Sequence, residues 1–231
     1  MRRFYQAATA AAVEVGYAVL LDDKPVRTPA KQALAVPTAA LAEAIAAEWR
    51  GQGDTIDLNA LPLTRIASTA IDLVAPRHGA IVDAIAKYAG TDLVCYRSEH
   101  PPALAERQRE GWQPLIDWLA LRYDAPLAVT TGILPIDQPA ASLQALHAEL
   151  AAQGAMTLAA LHLLTAACGS LVVALALAEG RLDADSAFAT AQLDETFEIE
   201  QWGEDAEQTQ RRAALRQDIA VAARFLALMR G

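Results

Sequence analysis

The polarity pattern of the first forty residues is typical of β structure. Asp22–Pro25 supplies turn-forming residues, and short apolar pieces follow at Val26 and Leu34–Val36. Before that turn, apolar side chains alternate with small or polar ones, which is the period of a half-buried strand; they are Val13, Val15, Tyr17, Val19 and Leu21. The pattern predicts a strand over 13–21 and a small β meander.

The period changes at Pro37. Leu41, Ile45 and Trp49 recur at every fourth position, Thr38 is placed to cap the start of a helix, and Gly51 to end it. A first helix is therefore expected between Thr38 and Gly51.

The rest of the chain is predicted to be mainly helical. Helical faces occur over 63–74 and 81–88, whereas Asp92–Tyr96 is ambiguous between a short buried strand and a helix end. Breaks at proline and glycine delimit the later helices, which are predicted at about Leu104–Tyr123, Ser142–Gln153, Leu158–Ala178, Ala184–Trp202 and Asp205–Met229.

A β-rich start followed by consecutive helices favours an α+β fold over alternating β/α winding. We expect two domains, with the boundary near residue 60. Residues 1–60 form a small β-rich domain with one helix, and residues 61–231 form a larger, mainly α-helical domain.

The apolar run Leu158–Leu177 has no Asp, Glu, Lys or Arg and is long enough to span a bilayer. It also contains His162 and Gly169, is diluted by alanine, and lacks basic or aromatic flanks. A helix wrapped by other helices has the same composition. We therefore expect a buried core helix and no stable membrane insertion.

Composition and charge narrow the choice of partner and compartment. The net charge is −9 with a pI near 4.9, so the long-range field repels nucleic acids and anionic lipids. Cys95 and Cys168 lie far apart within apolar runs, as expected for reduced, buried thiols. A cytoplasmic protein that binds no nucleic acid is predicted.

Catalytic motifs are not evident in the sequence. It contains no phosphate-binding glycine loop, dinucleotide fingerprint, paired C-x-x-C or nucleophile elbow, and its four histidines lack metal-ligand spacing. Cys168 beside Ser170, with His162 upstream, imitates a nucleophile site. Nothing nearby would lower the thiol pKa, so we interpret these small residues as a close helix contact.

The most informative segment is 193–207, LDETFEIEQWGEDAE, which contains no basic residue. A solvated helix face is the usual fate of such a charge run. Two features favour a binding site for another protein instead. Trp202 lies among the acids, and Gly203 precedes a helix that begins with Glu204 and Asp205. The residues alone leave both interpretations open. The acids are Asp194, Glu195, Glu198, Glu200, Glu204, Asp205 and Glu207.

Arg65 follows Pro62 in the first turn of a predicted helix, where the helix dipole disfavours a positive charge. Arg65 therefore needs a carboxylate partner, and the acidic stretch is the obvious donor. An ordinary surface ion pair is the alternative.

Together these motifs resemble the ATP12-type chaperones, which assist assembly of the ATP synthase catalytic head. The resemblance spans nearly the whole chain in family order. It departs from the family at Phe197-Glu198, where a Trp-Gln pair is common. The matching pieces are Arg3-Phe4-Tyr5, Gly16–Asp22, Arg27-Thr28-Pro29, Ala47-Glu48-Trp49 with Gln52, Pro62–Arg65, Ile71-Asp72, Asp92–Arg97, Gln108 with Trp112, Gly169-Ser170, Leu193-Asp194-Glu195 and Trp202–Glu207.

The resemblance implies a chaperone that is not an enzyme and has no cofactor. It implies binding of the free alpha subunit, whose exposed apolar surface is shielded until the beta subunit covers it. Since mitochondrial members carry a presequence that is not seen here, a bacterial protein is expected, monomeric when free. Trp202 is the expected anchor, Glu195, Glu204 and Asp205 steer the client by charge, and Arg65 orients these acids.

A different class of function is kept as the alternative. Clustered carboxylates can bind a divalent cation or act in an enzyme. Asp194, Glu195, Glu198 and Asp205 are the residues that would do so.

Overall fold

The structure, a computed structural model, describes residues 1–132 and 134–230. The strands are β1 (Ala8–Ala12), β2 (Tyr17–Leu21), β3 (Lys24–Pro25), β4 (Ala35–Val36), β5 (Tyr96–Arg97) and β6 (Thr130–Thr131). The helices are α1 (Ala39–Arg50), α2 (Pro62–Thr69), α3 (His78–Ala86), α4 (Pro102–Tyr123), α5 (Ala140–Ala151), α6 (Ala155–Cys168), α7 (Leu171–Ala178), α8 (Ala184–Ala191), α9 (Leu193–Trp202) and α10 (Ala206–Met229). A π-helical turn, Ala70–Val74, follows α2, and short 3₁₀ turns occupy Leu58–Ala60, Ala75–Arg77, Lys87–Thr91 and Leu93–Cys95.

Residue contacts divide the chain into two compact units. The first contains Met1–His78, Gly154–Ala160 and the chain from Arg224 onward, and the second contains Gly79–Gln153 and Leu161–Ala223. The first unit thus continues to His78, beyond the boundary expected near residue 60. The domain limits 1–60 and 61–231 stay a prediction.

The sheet of the first unit is an antiparallel meander centred on β2. β1 pairs with β2 so that Ala8 faces Leu21, and β2 also pairs with β3 and β4. Asp22 and Asp23 both have positive φ, as the predicted tight turn requires. Gly16 has φ of 83°, and a Cβ there would lie 2.4 Å from the Val36 carbonyl oxygen. Only glycine allows this approach.

The strand predicted over 13–21 is wrong in its first half. Val13 and Val15 are exposed beside the bend that joins β1 to β2, and the strand itself begins at Tyr17. β1 was not predicted because it is almost entirely alanine, which has little strand preference. It forms because pairing with β2 and packing on α1 override that weak local preference.

The first helix follows the sequence prediction closely. Thr38 Oγ1 accepts a hydrogen bond from Leu41 N at 3.2 Å and caps α1, while Leu41 and Ile45 are fully buried. The same hydroxyl donates to the Leu228 carbonyl oxygen at 2.6 Å. Thr38 therefore anchors both the start of α1 and the last turn of α10.

The single helix predicted over Leu158–Ala178 is wrong, because the chain forms α6 and α7 instead. Gly169 interrupts it with φ of 63°, and the Ser170 hydroxyl caps α7 by accepting from Val173 N at 3.0 Å. Every residue from Leu171 to Leu177 is buried, as expected for a core segment. In the described part of the chain no helix has the length and apolarity needed to cross a bilayer.

The single helix predicted over Ala184–Trp202 is also wrong. Gln192 interrupts it with φ of −109° and ψ of 23°, which separates α8 from α9. The ambiguous segment Asp92–Tyr96 contains the 3₁₀ turn Leu93–Cys95 followed by β5. Apart from these breaks, a small strand-rich start leads into a mainly helical remainder. The predicted α+β fold class is confirmed.

The Asp92 carboxylate is fully buried in the second unit and lies at the start of α7. It accepts hydrogen bonds from Ser170 Oγ at 2.6 Å, Val172 N at 3.1 Å and Val94 N at 3.3 Å. Burial raises the pKa of Asp92 to about 6, although these hydrogen bonds favour the charged form. Asp92 thereby ties the 3₁₀ turn Leu93–Cys95 to α7.

Candidate functional site

The acidic stretch lies on two consecutive helices that meet at Gly203. α9 ends at Trp202, and Gly203 has φ of 84° while its N–H donates to the Ile199 carbonyl oxygen at 2.8 Å. The helix break predicted at Gly203 is confirmed. We call Trp202, Gly203, Glu204 and Asp205 the acidic corner; all four residues are exposed.

The two aromatic residues of the stretch have opposite environments. Trp202 is 80% exposed, whereas Phe197 is 6% exposed and packs in the second unit. The guanidinium carbon of Arg107 lies 5.1 Å from the centre of the Phe197 ring. Only Trp202 is therefore available to another molecule, and Phe197 stabilises the fold.

Asp205 caps α10. Its Oδ1 accepts from Gln208 N at 2.8 Å, and Gln208 Oε1 accepts from Asp205 N at 3.3 Å. Such reciprocal bonding satisfies two backbone donors at a helix start. The prediction that carboxylates begin this helix is confirmed, and the Asp205 side chain is held in one orientation while still exposed.

Glu204 forms an ion pair with Arg212 of α10. The guanidinium lies 3.4 Å from Glu204 Oε1, and it also donates to Gln192 Oε1 at 3.3 Å and Thr196 Oγ1 at 3.0 Å. The Arg212 side chain is only 15% exposed. One arginine thus joins the start of α9 to the acidic corner, with its guanidinium 5.2 Å from the Phe188 ring.

Two further acids have arginine partners in the second unit. Glu195 pairs with Arg211, and Glu200 Oε2 lies 2.7 Å from Arg107 Nη1. The side chain of Glu195 is only 17% exposed, so less of it reaches solvent than of Glu204 at 30%. These arginines lie outside 193–207, so the composition of that segment does not reveal them. The adjacent Arg211 and Arg212, one helical turn beyond the stretch, were the available signal.

Asp194 is a structural acid. Its Oδ1 accepts from Gln108 Nε2 at 2.7 Å, and Gln108 Oε1 accepts from Ser98 N at 2.7 Å. Burial raises the pKa of Asp194, with a smaller contribution from the charge of Glu198, while the Gln108 hydrogen bond lowers it. The chain Ser98–Gln108–Asp194 connects α4 to α9, so the acidic stretch contains both bracing and exposed carboxylates.

Arg65 belongs to α2 in the first unit and is exposed. Its backbone N–H donates to the Leu61 carbonyl oxygen at 3.0 Å, but among the described residues its guanidinium makes no hydrogen bond and no ion pair. Within the second unit, Glu204 pairs with Arg212 and the Asp205 side chain accepts from Gln208 N. The predicted pairing of Arg65 with the acidic stretch stays a prediction.

Two observations concern the metal-site and nucleophile interpretations. Among residues 1–132 and 134–230, no group of three or more His, Cys, Asp or Glu side chains is arranged to hold a metal ion. Burial, with a smaller contribution from the charge of Asp92, raises the pKa of the Cys168 thiol to about 12, and His162 is exposed while Cys168 is buried. The expectation that nothing lowers the thiol pKa is confirmed.

Comparison with known proteins identifies the family. The model of the ATP12 chaperone protein family matches residues 2–120, just over half of the chain. The chain belongs to the ATP12 chaperone family. It is an assembly chaperone of ATP synthase, and its relatives are named as chaperones.

The relatives include proteins of bacteria and of a mitochondrion. Atp12 from Paracoccus denitrificans is 45% identical with a TM-score of 0.95, covering 99% of this chain and 98% of that one. The Atu1473 protein of Agrobacterium tumefaciens is 40% identical with a TM-score of 0.92, covering 99% and 85%. Mitochondrial atp12 of Schizosaccharomyces pombe is 26% identical over 220 residues, covering 89% of this chain and 75% of its own.

Proposed function

We propose that this ATP12 family member binds the unassembled alpha subunit of the ATP synthase catalytic head and shields the surface that the beta subunit later covers. It acts by occupying a surface, without catalysis or cofactor. It works in the bacterial cytoplasm and is monomeric when free. Family membership supports a role in ATP synthase assembly, and the choice of the alpha subunit is our inference.

The exposed indole of Trp202 is the observation that carries the proposal. A tryptophan that is 80% exposed beside two carboxylates leaves a large apolar surface in water. Large exposed apolar groups with a charged rim are typical of sites that bind other proteins, and tryptophan is enriched among binding hot spots. Trp202 is therefore assigned as the anchor for the client.

The carboxylates near Trp202 supply charge around that anchor. Glu204 and Asp205 steer a positively charged client surface, because interface charges act mainly on encounter and specificity. Glu195 contributes less, since Arg211 partly neutralises it. Arg65 is assigned as a further partner-binding residue, with its contact on the first unit.

Co-expression with the free alpha subunit tests the proposal. The wild-type chaperone should keep the alpha subunit in the soluble fraction and co-purify with it. Trp202→Ala should lower that yield at least about tenfold, as expected for loss of a hot-spot aromatic. Leu121→Ala is the matched control, because Leu121 is 89% exposed in the same unit but distant in sequence from the corner.

Variants of Glu204 and Asp205 distinguish the effect of their charges on client binding from an effect on folding. Glu204→Lys and Asp205→Lys should both abolish recovery of the alpha subunit. Asp205→Asn should keep the cap of α10 while removing the charge, since asparagine caps helices as well as aspartate does. Normal recovery with Trp202→Ala and with both lysine variants would refute the assignment of the acidic corner.

A further inference from the structure

A groove of about 850 Å³ opens on the first unit and brings together motifs that the acidic corner does not use. Residues from four of these motifs line it: Arg27-Thr28-Pro29, Trp49, Thr64-Arg65 and Asp72. Leu58, Trp49 and Leu73 complete the apolar part of its lining.

Two carboxylates fix the walls of this groove. Asp72 accepts from Thr28 Oγ1 at 2.6 Å and from Ala30 N at 2.9 Å, which anchors the loop after β3. Glu48 accepts from Leu63 N at 2.6 Å and Thr64 N at 2.9 Å, which anchors the start of α2. Both carboxylates accept hydrogen bonds from neutral donors, and neither forms an ion pair with an arginine among the described residues.

The charged side chains that line the groove are Arg27, Arg65 and Asp72, so the lining has a formal excess of one positive charge on a chain of net charge −9. Arg65 is exposed, and its guanidinium makes no hydrogen bond or ion pair within the part of the chain that the structure describes. Arg27 donates one hydrogen bond, to the Lys31 carbonyl oxygen at 2.9 Å, and has no carboxylate partner there. Two such guanidinium groups favour a bound carboxylate, which arginine binds through two parallel hydrogen bonds.

The apolar part of the groove also leaves surface in water. Leu58 is 66% exposed and Leu73 is 49% exposed, while Trp49 is a buried residue of the lining. Exposed aliphatic side chains beside an aromatic ring suit the insertion of a second aliphatic side chain. An occupant therefore needs an apolar group and a carboxylate at adjacent positions.

We propose that this groove binds an extended acidic segment of the client polypeptide, inserting an aliphatic side chain between Leu58 and Leu73 and placing a carboxylate on Arg65. The inference rests on the proposed function, because it takes the client as the source of the segment. A polypeptide is favoured over an anionic membrane surface, because an extended segment can enter a groove of about 850 Å³ and a flat membrane surface cannot. The groove is a second client contact, opposite in charge to the acidic corner.

Fluorescence anisotropy with two labelled ten-residue peptides tests the groove directly. Both peptides carry leucine at every second position; one has glutamate between the leucines and the other has lysine. The glutamate peptide should bind at least about tenfold more tightly, and its binding should weaken as salt rises. Equal binding of the two peptides would overturn the proposal.

Variants then assign the binding to named residues. Arg65→Ala should weaken the glutamate peptide about tenfold, and Arg65→Lys should retain part of the affinity. Thr69→Trp should fill the groove and abolish binding, while Arg77→Ala, an exposed arginine outside the groove, should have no effect. If Thr69→Trp does not fold, Arg65→Glu takes its place. Unchanged binding in the groove variants, or an equal loss in Arg77→Ala, would contradict the assignment.

Binding of the free alpha subunit separates this inference from the proposed function. If Thr69→Trp and Arg65→Glu bind the client normally while Trp202→Ala does not, the groove is refuted and the chaperone function stands. If the wild-type protein binds the glutamate peptide but no alpha subunit, the proposed function fails and the groove remains a peptide site. Displacement of the peptide by micromolar decanoate would assign the groove to a small amphiphile and overturn the proposal.

Discussion

Asp92 and Asp205 both accept a hydrogen bond from a backbone N–H at the start of a helix, but they differ in their exposure to solvent. Asp92 accepts from Val172 N at the start of α7, and Asp205 accepts from Gln208 N at the start of α10. Asp92 is fully buried, whereas Asp205 is exposed beside Trp202. The same carboxylate chemistry therefore braces the fold at one helix and leaves a charge for a partner at the other.

The difference teaches that burial, and not residue type, decides which acids of this chain are available for binding. Asp92 and Asp194 have raised pKa values because burial disfavours their charged forms. The exposed carboxylates of the acidic corner stay in contact with water. Substitutions at the two kinds of acid should have separable effects on stability and on client binding.

Asp92→Ala should produce the largest effect. It leaves the donors Ser170 Oγ, Val172 N and Val94 N without their acceptor inside the core. We expect the free energy of unfolding to fall by about 3 kcal/mol or more, since each unsatisfied buried donor costs about 1–3 kcal/mol. Chemical denaturation of the wild type and the variant measures this difference in the free energy of unfolding. A loss below about 1 kcal/mol would show that Asp92 and Asp205 are equivalent caps.

Stability should depend on pH through Asp92. Its pKa is 3.8 when unfolded and about 6 when folded, so the folded protein binds the proton more tightly. This contribution is fully present below pH 3.8 and is lost as the pH rises through about 6. Relative to Asp92→Asn, the wild type should lose about 2 kcal/mol between pH 4 and pH 7, at about 1.4 kcal/mol per pKa unit over the range between the two pKa values. If the free energies of unfolding of the two proteins had the same pH dependence, this prediction would be contradicted.

Arg212→Ala tests how strongly the acidic corner is held. It removes hydrogen bonds to Gln192 and Thr196, the Glu204 ion pair and the contact with the Phe188 ring. We expect a loss of about 1–3 kcal/mol in thermal or chemical denaturation. Arg211→Ala, which breaks a more exposed pair with Glu195, should change stability by less than about 1 kcal/mol. The opposite ranking would show that Arg212 does not hold the corner.

Substitutions of Asp205 should change stability little. They distinguish the role of Asp205 as a helix cap from the role of its charge in client binding. Asp205→Ala should lower the free energy of unfolding by about 1 kcal/mol, the usual loss for a helix cap. Asp205→Asn should stay within a few tenths of a kcal/mol of wild type. Both variants should recover less alpha subunit in co-expression, because both lack the charge. Full recovery by Asp205→Asn would limit Asp205 to a structural cap.

Local chemistry was sufficient to predict the parts of the fold that depend on single residues. Thr38 as a cap, the turn at Asp22-Asp23 and the break at Gly203 were predicted because each follows from hydrogen-bonding or φ preferences. The strand β1 and the divisions of the long helices at Gly169 and Gln192 were not predicted. β1 depends on pairing with β2, and an apolar pattern that continues across Gly169 and Gln192 does not show where each long helix divides.

The candidate site shows the same limit. The sequence identified Trp202, Glu204 and Asp205 because aromatic and acidic residues are adjacent there. It could not divide the acids between bracing and exposed roles, since Gln108 is the partner of Asp194 from 86 positions away. Arg65 was singled out by its position in a helix start, but the groove it lines requires the three-dimensional arrangement.

The reciprocal bonds between Asp205 and Gln208 also bear on how fast a client can leave. A corner held in one conformation before contact loses little conformational entropy on docking, so a small interface can be sufficient for recognition. Release then needs no unfolding of the chaperone, and a competing subunit has only a few side chains to displace. The capped start of α10 is therefore suited to a chaperone that binds its client transiently and then releases it.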